Sequence, residues 1–108
     1  MDRTIYLNNL YDDYQGLLTQ KQQQYFEDYY FQNLSLSEMA ENYHVSRNAI
    51  YGQLKLVEKK LEAFEQILKL YQKKQKVKEL LKEIPDSDRV KQILDLLWEE
   101  KRTMQKKH

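Results

Sequence analysis

The sequence predicts an all-α protein in which a helix-turn-helix is followed by a long heptad-bearing helix and a C-terminal helix. Three observations support this class. The 108 residues include only two Gly and one Pro, with 41% apolar and 32% charged residues, a mix typical of long helices with few loops. Apolar residues recur at helical spacing along most of the chain. Two helix-capping signals frame the stretch from Ser35 to Leu61.

The stretch from Ser35 to Leu61 has the pattern of two short-connected helices. Ser35 precedes an apolar run and has Glu38 three residues later, which is a capping box, and Ser46 opens the second helix. The turn falls at His44-Val45 and needs a residue with positive φ, which His tolerates better than most residues. Ala40 suits the close crossing of the two helices. We expect the motif core to contain Leu36, Met39, Ala40, Tyr43, Val45, Ala49, Ile50 and Leu54.

Two helices are predicted before this motif. The first runs from about Asp2 to Gly16, and the second starts after Thr19, with Gln22 completing a capping box, and ends at Gln32-Asn33. Six of the nine tyrosines lie before Leu34. They could stack on unpaired bases, but their spacing of three and four residues favours a core position with the hydroxyls reaching the surface.

After the turn, apolar residues alternate steps of four and three from Ile50 to Tyr71, as in a heptad seam. A helix from Arg47 to about Glu83 would span about 55 Å at 1.5 Å per residue, longer than one small domain covers. The lysine-rich segment at 71–79 is an alternative place for a break or bend. We expect a homodimer, or else a monomer whose last helix folds back as an antiparallel hairpin. The predicted dimer interface contains Leu61, Phe64, Leu68, Leu94, Leu97 and Trp98.

The segment Ile84-Pro85-Asp86-Ser87 is the clearest interruption of the helical pattern. It divides the chain into residues 1–84, the helix-turn-helix domain with its long fourth helix, and residues 85–108, a C-terminal helix and basic tail. We expect the second part to pack on the same domain or in a dimer interface. Its apolar side runs from Val90 to Trp98, with Met104 near the end.

Composition excludes several classes of protein. There is no cysteine, which excludes disulfides and thiolate metal sites and fits the cytoplasm. No apolar run has membrane-spanning length, so no membrane insertion is expected. A Gly-rich phosphate loop and a nucleophile motif are both missing, and Glu38, Glu41 and His44 fit a solvated helix face better than a metal site. We therefore predict a non-enzymatic protein with no catalytic residues, no metal and no cofactor.

Nucleic acid is the expected partner of the second helix of the motif. With Ile50 facing inward, the opposite side presents a set of polar residues at the helix start, where recognition helices meet base edges. Arginine pairs with guanine, asparagine with adenine, and lysines hold phosphates. Gly52 in mid-helix costs about 1 kcal/mol relative to alanine; its bare backbone could permit close approach by another molecule, or it is equally well explained as a tolerated surface glycine. The predicted nucleic-acid-binding residues are Arg47, Asn48, Tyr51, Lys55 and Lys59.

Charge is distributed unevenly along the chain. Residues 1–45 carry seven acids and two bases, whereas residues 46–108 carry ten acids and sixteen bases. Such a split lets one half meet an anionic partner, or lets two subunits pair head to tail, although ordinary solvated helix faces explain it equally well. The stretch from Ser35 to Lys55 is neutral, with two acids and two bases, whereas DNA-binding surfaces are usually basic.

The blocks LLTQKQQQYFEDYY and LSLSEMAENYHVSRNAIYGQLKLVEKKLEAFE resemble the YlxM-like family of small bacterial helix-turn-helix proteins. That family is similar to domain 4 of sigma factors and is associated with the signal recognition particle pathway. The resemblance implies a DNA-binding regulatory role, or an adaptor that binds the particle's GTPase or RNA without reading DNA. Relative to the sigma-factor pattern, Tyr51 and Gly52 replace base-contacting residues and Arg47 remains. The adaptor surface would be the lysine patch of Lys69, Lys73, Lys74, Lys76 and Lys78, although a solvated helix surface explains these lysines at least as well.

Overall fold

The computed structural model describes residues 2–98, and the all-α prediction is confirmed there: these residues form helices without any strand. Met104 and the predicted basic tail from Lys101 lie outside the described residues. The elements are α1 (Arg3–Tyr14), a 3-10 helix (Gln15–Leu17), α2 (Gln20–Tyr30), α3 (Leu36–Tyr43), α4 (Arg47–Leu68), α5 (Leu70–Leu81) and α6 (Asp88–Leu97). Their contacts divide the chain into two compact units after Leu68, whereas the sequence pattern placed a division at Pro85.

The first unit is built around α4, which packs against each of α1, α2 and α3. One side of α4 is buried by these three helices, and the ring of Tyr11 on α1 stacks on Phe26 of α2 with centroids 4.4 Å apart. The predicted capping box between Thr19 and Gln22 is confirmed at the start of α2. The fully buried large side chains are Leu7, Leu10, Tyr11, Tyr14, Phe26, Met39, Ile50, Val57 and Leu61.

Of the six tyrosines before Leu34, three are buried as their spacing indicated (Tyr11, Tyr14 and Tyr25), two are half-buried (Tyr6 and Tyr30) and Tyr29 is exposed. Several hydroxyls bind carboxylates instead of reaching the surface as predicted. The Tyr14 hydroxyl donates to Glu65 Oε1 at 2.6 Å, and the Tyr30 hydroxyl donates to Glu58 Oε2 at 2.7 Å. Two similar hydrogen bonds run from Tyr11 to Glu27 and from Tyr43 to Asp28. Burial of the rings places the hydroxyls beside carboxylates of neighbouring helices, which satisfy them.

The prediction of one helix from Arg47 to Glu83 is wrong. Helix α4 ends at Leu68, Lys69 adopts the left-handed conformation with φ 57° and ψ 30°, and α5 starts at Leu70. The break lies just before the lysine-rich segment that the alternative named. Glu65 is the last buried residue of α4, so beyond it no packing holds the helix straight.

The predicted dimer interface is also corrected at Leu61, which is fully buried in the first unit by its own chain. The heptad seam from Ile50 to Leu61 is therefore the core side of α4 and is unavailable to another subunit. Phe64 is half-buried with its ring 6.0 Å from that of Tyr14, while Leu68 is exposed.

The second unit contains α5 and α6, which contact each other. Pro85 lies in the connection, and the Val90 amide donates to Ser87 Oγ at 3.3 Å, so Ser87 caps α6. Leu94, Leu97 and Trp98 are half-buried. The amines of Lys74 and Lys78 each lie 5.9 Å from the centroid of the Trp98 ring, within reach of a cation–π interaction.

Candidate nucleic-acid interface

The start of α3 is fixed by a reciprocal pair of hydrogen bonds, as its sequence predicted. The Glu38 amide donates to Ser35 Oγ at 3.0 Å, and the Ser35 amide donates to Glu38 Oε1 at 2.8 Å. These bonds favour the charged carboxylate and lower the pKa of Glu38. The capping box therefore sets where α3 begins, and with it the position of the following turn.

The turn between α3 and α4 depends on His44, which has φ 57° and ψ 43°. The predicted positive φ is thus confirmed. The Val45 amide donates to the Ala40 carbonyl at 3.0 Å, which is the six-to-one hydrogen bond of a Schellman motif. Immediately afterwards the Ala49 amide donates to Ser46 Oγ at 3.0 Å, so Ser46 caps α4. The chain therefore leaves α3 and enters α4 through two defined caps.

The two helices of the motif pack around a small core of Tyr25, Met39, Ile50 and Leu54, against which Leu34, Leu36, Ala40 and Tyr43 are partly buried. Two predicted core residues do not belong to it. Val45 is 41% exposed, and Ala49 is exposed as well. Leu34 and Tyr43 pack against the core instead of Val45, and Ala49 lies about 100° around α4 from the buried Ile50.

The predicted nucleic-acid-binding residues are all exposed on α4: Arg47, Asn48, Tyr51, Lys55 and Lys59. Tyr51 has 52% of its surface accessible. Among residues 2–98 the Arg47, Asn48 and Lys59 side chains make no hydrogen bond or ion pair. The first unit thus leaves both the N-terminal turn of α4 and its middle accessible.

Lys55 contacts both another member of this set, Tyr51, and the buried acid Glu58. Its amine lies 3.5 Å from Glu58 Oε1 and 5.3 Å from the centroid of the Tyr51 ring. Glu58 is itself buried, with the Arg3 guanidinium 3.6 Å away. Burial, together with the hydrogen bond to Glu58, raises the pKa of Tyr30. The Glu58 carboxylate therefore contacts both Lys55 on the exposed side of α4 and Tyr30 in the interior of the unit.

Sequence reasoning missed the hydrogen bonds between tyrosines and carboxylates that hold α4. Glu58 and Glu65 lie on the buried side of α4, seven residues apart, in line with Leu54 and Leu61. Acidic residues at the positions of a buried helix face need hydrogen-bond donors from other helices. The positions of Glu58 and Glu65 in the apolar pattern are therefore the signal that could have identified these hydrogen bonds. The donors, Tyr30 and Tyr14, come from α2 and α1.

Across residues 2–98, every helix is too short or too polar to be a candidate membrane span.

Comparison with known proteins agrees with this architecture. Residues 1–102 match the model of the UPF0122 family, described as "Putative helix-turn-helix protein, YlxM / p13 like". A UPF0122 protein of Geobacillus sp. (strain WCH70) is 45% identical over 86 residues, which cover 80% of this chain and 78% of the relative. One from Bacillus mycoides (strain KBAB4) is 41% identical over 105 residues, covering 90% of this chain and 96% of the relative. The chain therefore belongs to the UPF0122 family of YlxM/p13-like helix-turn-helix proteins.

Proposed function

We propose that this protein is a cytoplasmic regulatory protein that binds duplex DNA through the N-terminal half of α4. The observation that carries the proposal is the exposure of Arg47, Asn48 and Tyr51 on the first turns of the second helix of a doubly capped helix-turn-helix. In such motifs the second helix enters the major groove with its N-terminal residues at the base edges.

The side chains suit distinct roles in such a complex. Arg47 has a free guanidinium for a guanine edge, and Asn48 has a free amide for an adenine edge. Lys59 is available for a phosphate, and Lys55 can exchange its contact with Glu58 for one. Because few cations lie on this surface, we expect modest affinity and a shallow dependence on salt concentration.

The test is selection of binding sites from random duplex oligonucleotides, followed by fluorescence anisotropy titration at low salt. Arg47→Ala should weaken binding to the selected site by about 1–3 kcal/mol and relax its sequence preference. Lys59→Ala should weaken binding to all sequences alike and reduce the salt slope by about one. Arg89→Ala is the matched control, since it removes an exposed arginine of α6, outside the motif.

Two results would contradict the proposal. One is equal affinity of wild type and Arg47→Ala for every duplex. The other is the failure of selection to enrich any sequence, because non-specific phosphate binding alone enriches none.

The alternative function is an adaptor that binds components of the signal recognition particle without reading DNA. The observation that favours it is a group of exposed lysines, with Lys69 directly before α5 and Lys73 and Lys76 on it, which suit RNA phosphates or an acidic protein. Pull-down of the particle's GTPase and RNA with wild type and with a Lys69→Gln, Lys73→Gln, Lys76→Gln variant tests it. Retention that depends on these lysines, with no DNA site selected, would favour the adaptor.

A further inference from the structure

Glu58 is a buried acid on the helix that carries the proposed recognition surface. It is 5% exposed, and its Oε2 atom accepts a hydrogen bond of 2.7 Å from the Tyr30 hydroxyl. The hydrogen bond fixes the orientation of the carboxylate, because a buried acceptor stays with its donor. The other oxygen, Oε1, lies 3.5 Å from the Lys55 amine and 3.6 Å from the Arg3 guanidinium. Glu58 therefore contacts one cation of the recognition surface and one cation of α1.

Lys55 is positioned by two neighbours on its own helix. Its amine lies between Glu58 Oε1, at 3.5 Å, and the Tyr51 ring, whose centroid is 5.3 Å away. The Lys55 side chain is nevertheless 48% exposed, so a phosphate group can reach the amine. An amine that binds a phosphate must leave the carboxylate or divide itself between two anions. Either change subtracts the ion pair with Glu58 from the free energy gained on binding.

Arg3 determines which cation stays beside Glu58 when Lys55 moves. Its guanidinium donates to both oxygens of Glu62, at 3.3 and 3.4 Å, while it lies near Glu58. A buried carboxylate that loses its last cation is strongly unfavourable. With Arg3 present, Glu58 keeps a cation after Lys55 has left. Without Arg3, Lys55 would be the one cation of residues 2–98 within 4 Å of the carboxylate.

We propose that Glu58 competes with DNA phosphates for Lys55, and that Arg3 weakens this competition by neutralising Glu58. The inference rests on the proposed DNA binding and adds its regulation. The contact between Lys55 and Glu58 is then autoinhibitory. Glu58 and Arg3 are positioning residues, because both act on the duplex through the Lys55 amine. A residue of α1 thus tunes the affinity of a surface on α4.

The expected effect is modest and independent of sequence. An ion pair with one partner this exposed changes an equilibrium constant by up to about fivefold. Lysine at this position contacts phosphates, which carry no base information. Removing the competition should therefore tighten binding to all duplexes alike.

Fluorescence anisotropy with a short labelled duplex of mixed sequence, at low salt, tests the competition. Glu58→Gln keeps the shape of the side chain and an oxygen for the Tyr30 hydroxyl. It should bind the duplex at least about threefold more tightly than wild type. In a Lys55→Met background the same change should alter the affinity by less than about 1.5-fold, because no amine is left to release. Glu41→Gln, which removes an exposed acid of α3, is the control for net charge and should also change the affinity by less than about 1.5-fold.

Arg3→Gln provides an independent variant, since the Arg3 side chain is 57% exposed and its loss leaves the core intact. It should weaken binding to the duplex at least about twofold, because Glu58 then holds Lys55 more strongly. In a Glu58→Gln background it should have no effect. A direct contact between Arg3 and DNA would instead produce the same loss in both backgrounds.

NMR relaxation of the Lys55 side-chain amine, recorded without DNA, supplies a readout that a purely structural role would not change. The amine should be less mobile in wild type than in Glu58→Gln, and least mobile in Arg3→Gln. All variants should keep the helical circular dichroism of wild type.

Three results would overturn the inference. They are an equal gain from Glu58→Gln with and without Lys55, an equal loss from Arg3→Gln with and without Glu58, and equal mobility of the Lys55 amine in all variants. Failure of the proposed function differs from these results. If wild type binds no duplex, both are wrong; if it binds and the variants are not coupled, the inference alone is wrong.

Discussion

The hydrogen bond between Tyr14 and Glu65 should contribute a large share of the stability of the first unit. Tyr14 is 1% exposed and Glu65 is 8% exposed, and the hydroxyl lies 2.6 Å from Glu65 Oε1. Hydrogen bonds to charged groups contribute about 1.5–3 kcal/mol, and a buried carboxylate that loses a donor also keeps its desolvation cost. Tyr14→Phe keeps the ring against Phe64 and removes only the donor.

We expect Tyr14→Phe to lower the free energy of unfolding by about 2 kcal/mol. For a unit of this size that corresponds to a fall of roughly 8–16 °C in the midpoint of thermal unfolding. Urea denaturation followed by circular dichroism measures the change, at one protein concentration for all variants, because association shifts apparent stability. Tyr51→Phe, at an exposed tyrosine, is the matched control and should stay within about 0.5 kcal/mol of wild type.

A double-mutant cycle isolates the pair. Tyr14→Phe combined with Glu65→Leu should be less destabilised than the sum of the two single variants, because replacing both partners leaves neither end of this hydrogen bond unsatisfied. A cost below about 0.5 kcal/mol for Tyr14→Phe, or simple additivity in the cycle, would refute the assignment of stability to this hydrogen bond.

Three further outcomes are expected. Gly52→Ala should raise the stability of the protomer by up to about 1 kcal/mol, measured by urea denaturation under dilute conditions, because alanine is the better helix former and meets no neighbour. His44→Gly should raise stability by up to about 1 kcal/mol and His44→Val should lower it, since φ is 57° there; the opposite order in thermal unfolding would contradict the role of the turn. Burial and hydrogen bonds to Glu58 and Asp28 raise the pKa of Tyr30 and of Tyr43 above 10, so the stability they contribute is fully present below pH 10 and is lost as pH rises above it. The loss is at most about 1.4 kcal/mol per pH unit for each tyrosine and is reduced by solvent screening. Between pH 9 and 11.5, the urea midpoint of the double variant Tyr30→Phe/Tyr43→Phe should therefore fall less steeply with pH than that of the wild type.

The sequence was most informative where local chemistry decides the structure. Ser35 with Glu38, and Thr19 with Gln22, each satisfy free amides within one turn of chain, so their caps could be predicted without knowledge of any other helix. The left-handed His44 follows from the same kind of argument, because a short turn between two helices needs one residue with positive φ.

Predictions that depend on neighbouring helices were less reliable. The heptad pattern showed correctly that Leu61 belongs to an apolar face, but a period cannot tell whether that face meets the same chain or another subunit. Val45 was misplaced for a similar reason, since Leu34, which precedes α3, packs against the motif core and local spacing does not reveal it. The break at Lys69 follows from the end of buried packing at Glu65, which only the assembled unit shows.

Several acids of the first unit have a structural role in the fold. Glu27, Asp28, Glu58 and Glu65 each accept a hydrogen bond from a tyrosine hydroxyl, so these carboxylates are directed toward contacts between helices. Arg47 and Lys59 extend from the exposed side of α4 without such a partner among residues 2–98. Glu58 is the exception among these acids, because one of its oxygens accepts from Tyr30 while the other lies 3.5 Å from the Lys55 amine on the surface proposed to meet DNA. Net charge counted along the sequence therefore does not by itself give the potential at this surface, because the field depends on where the charges lie.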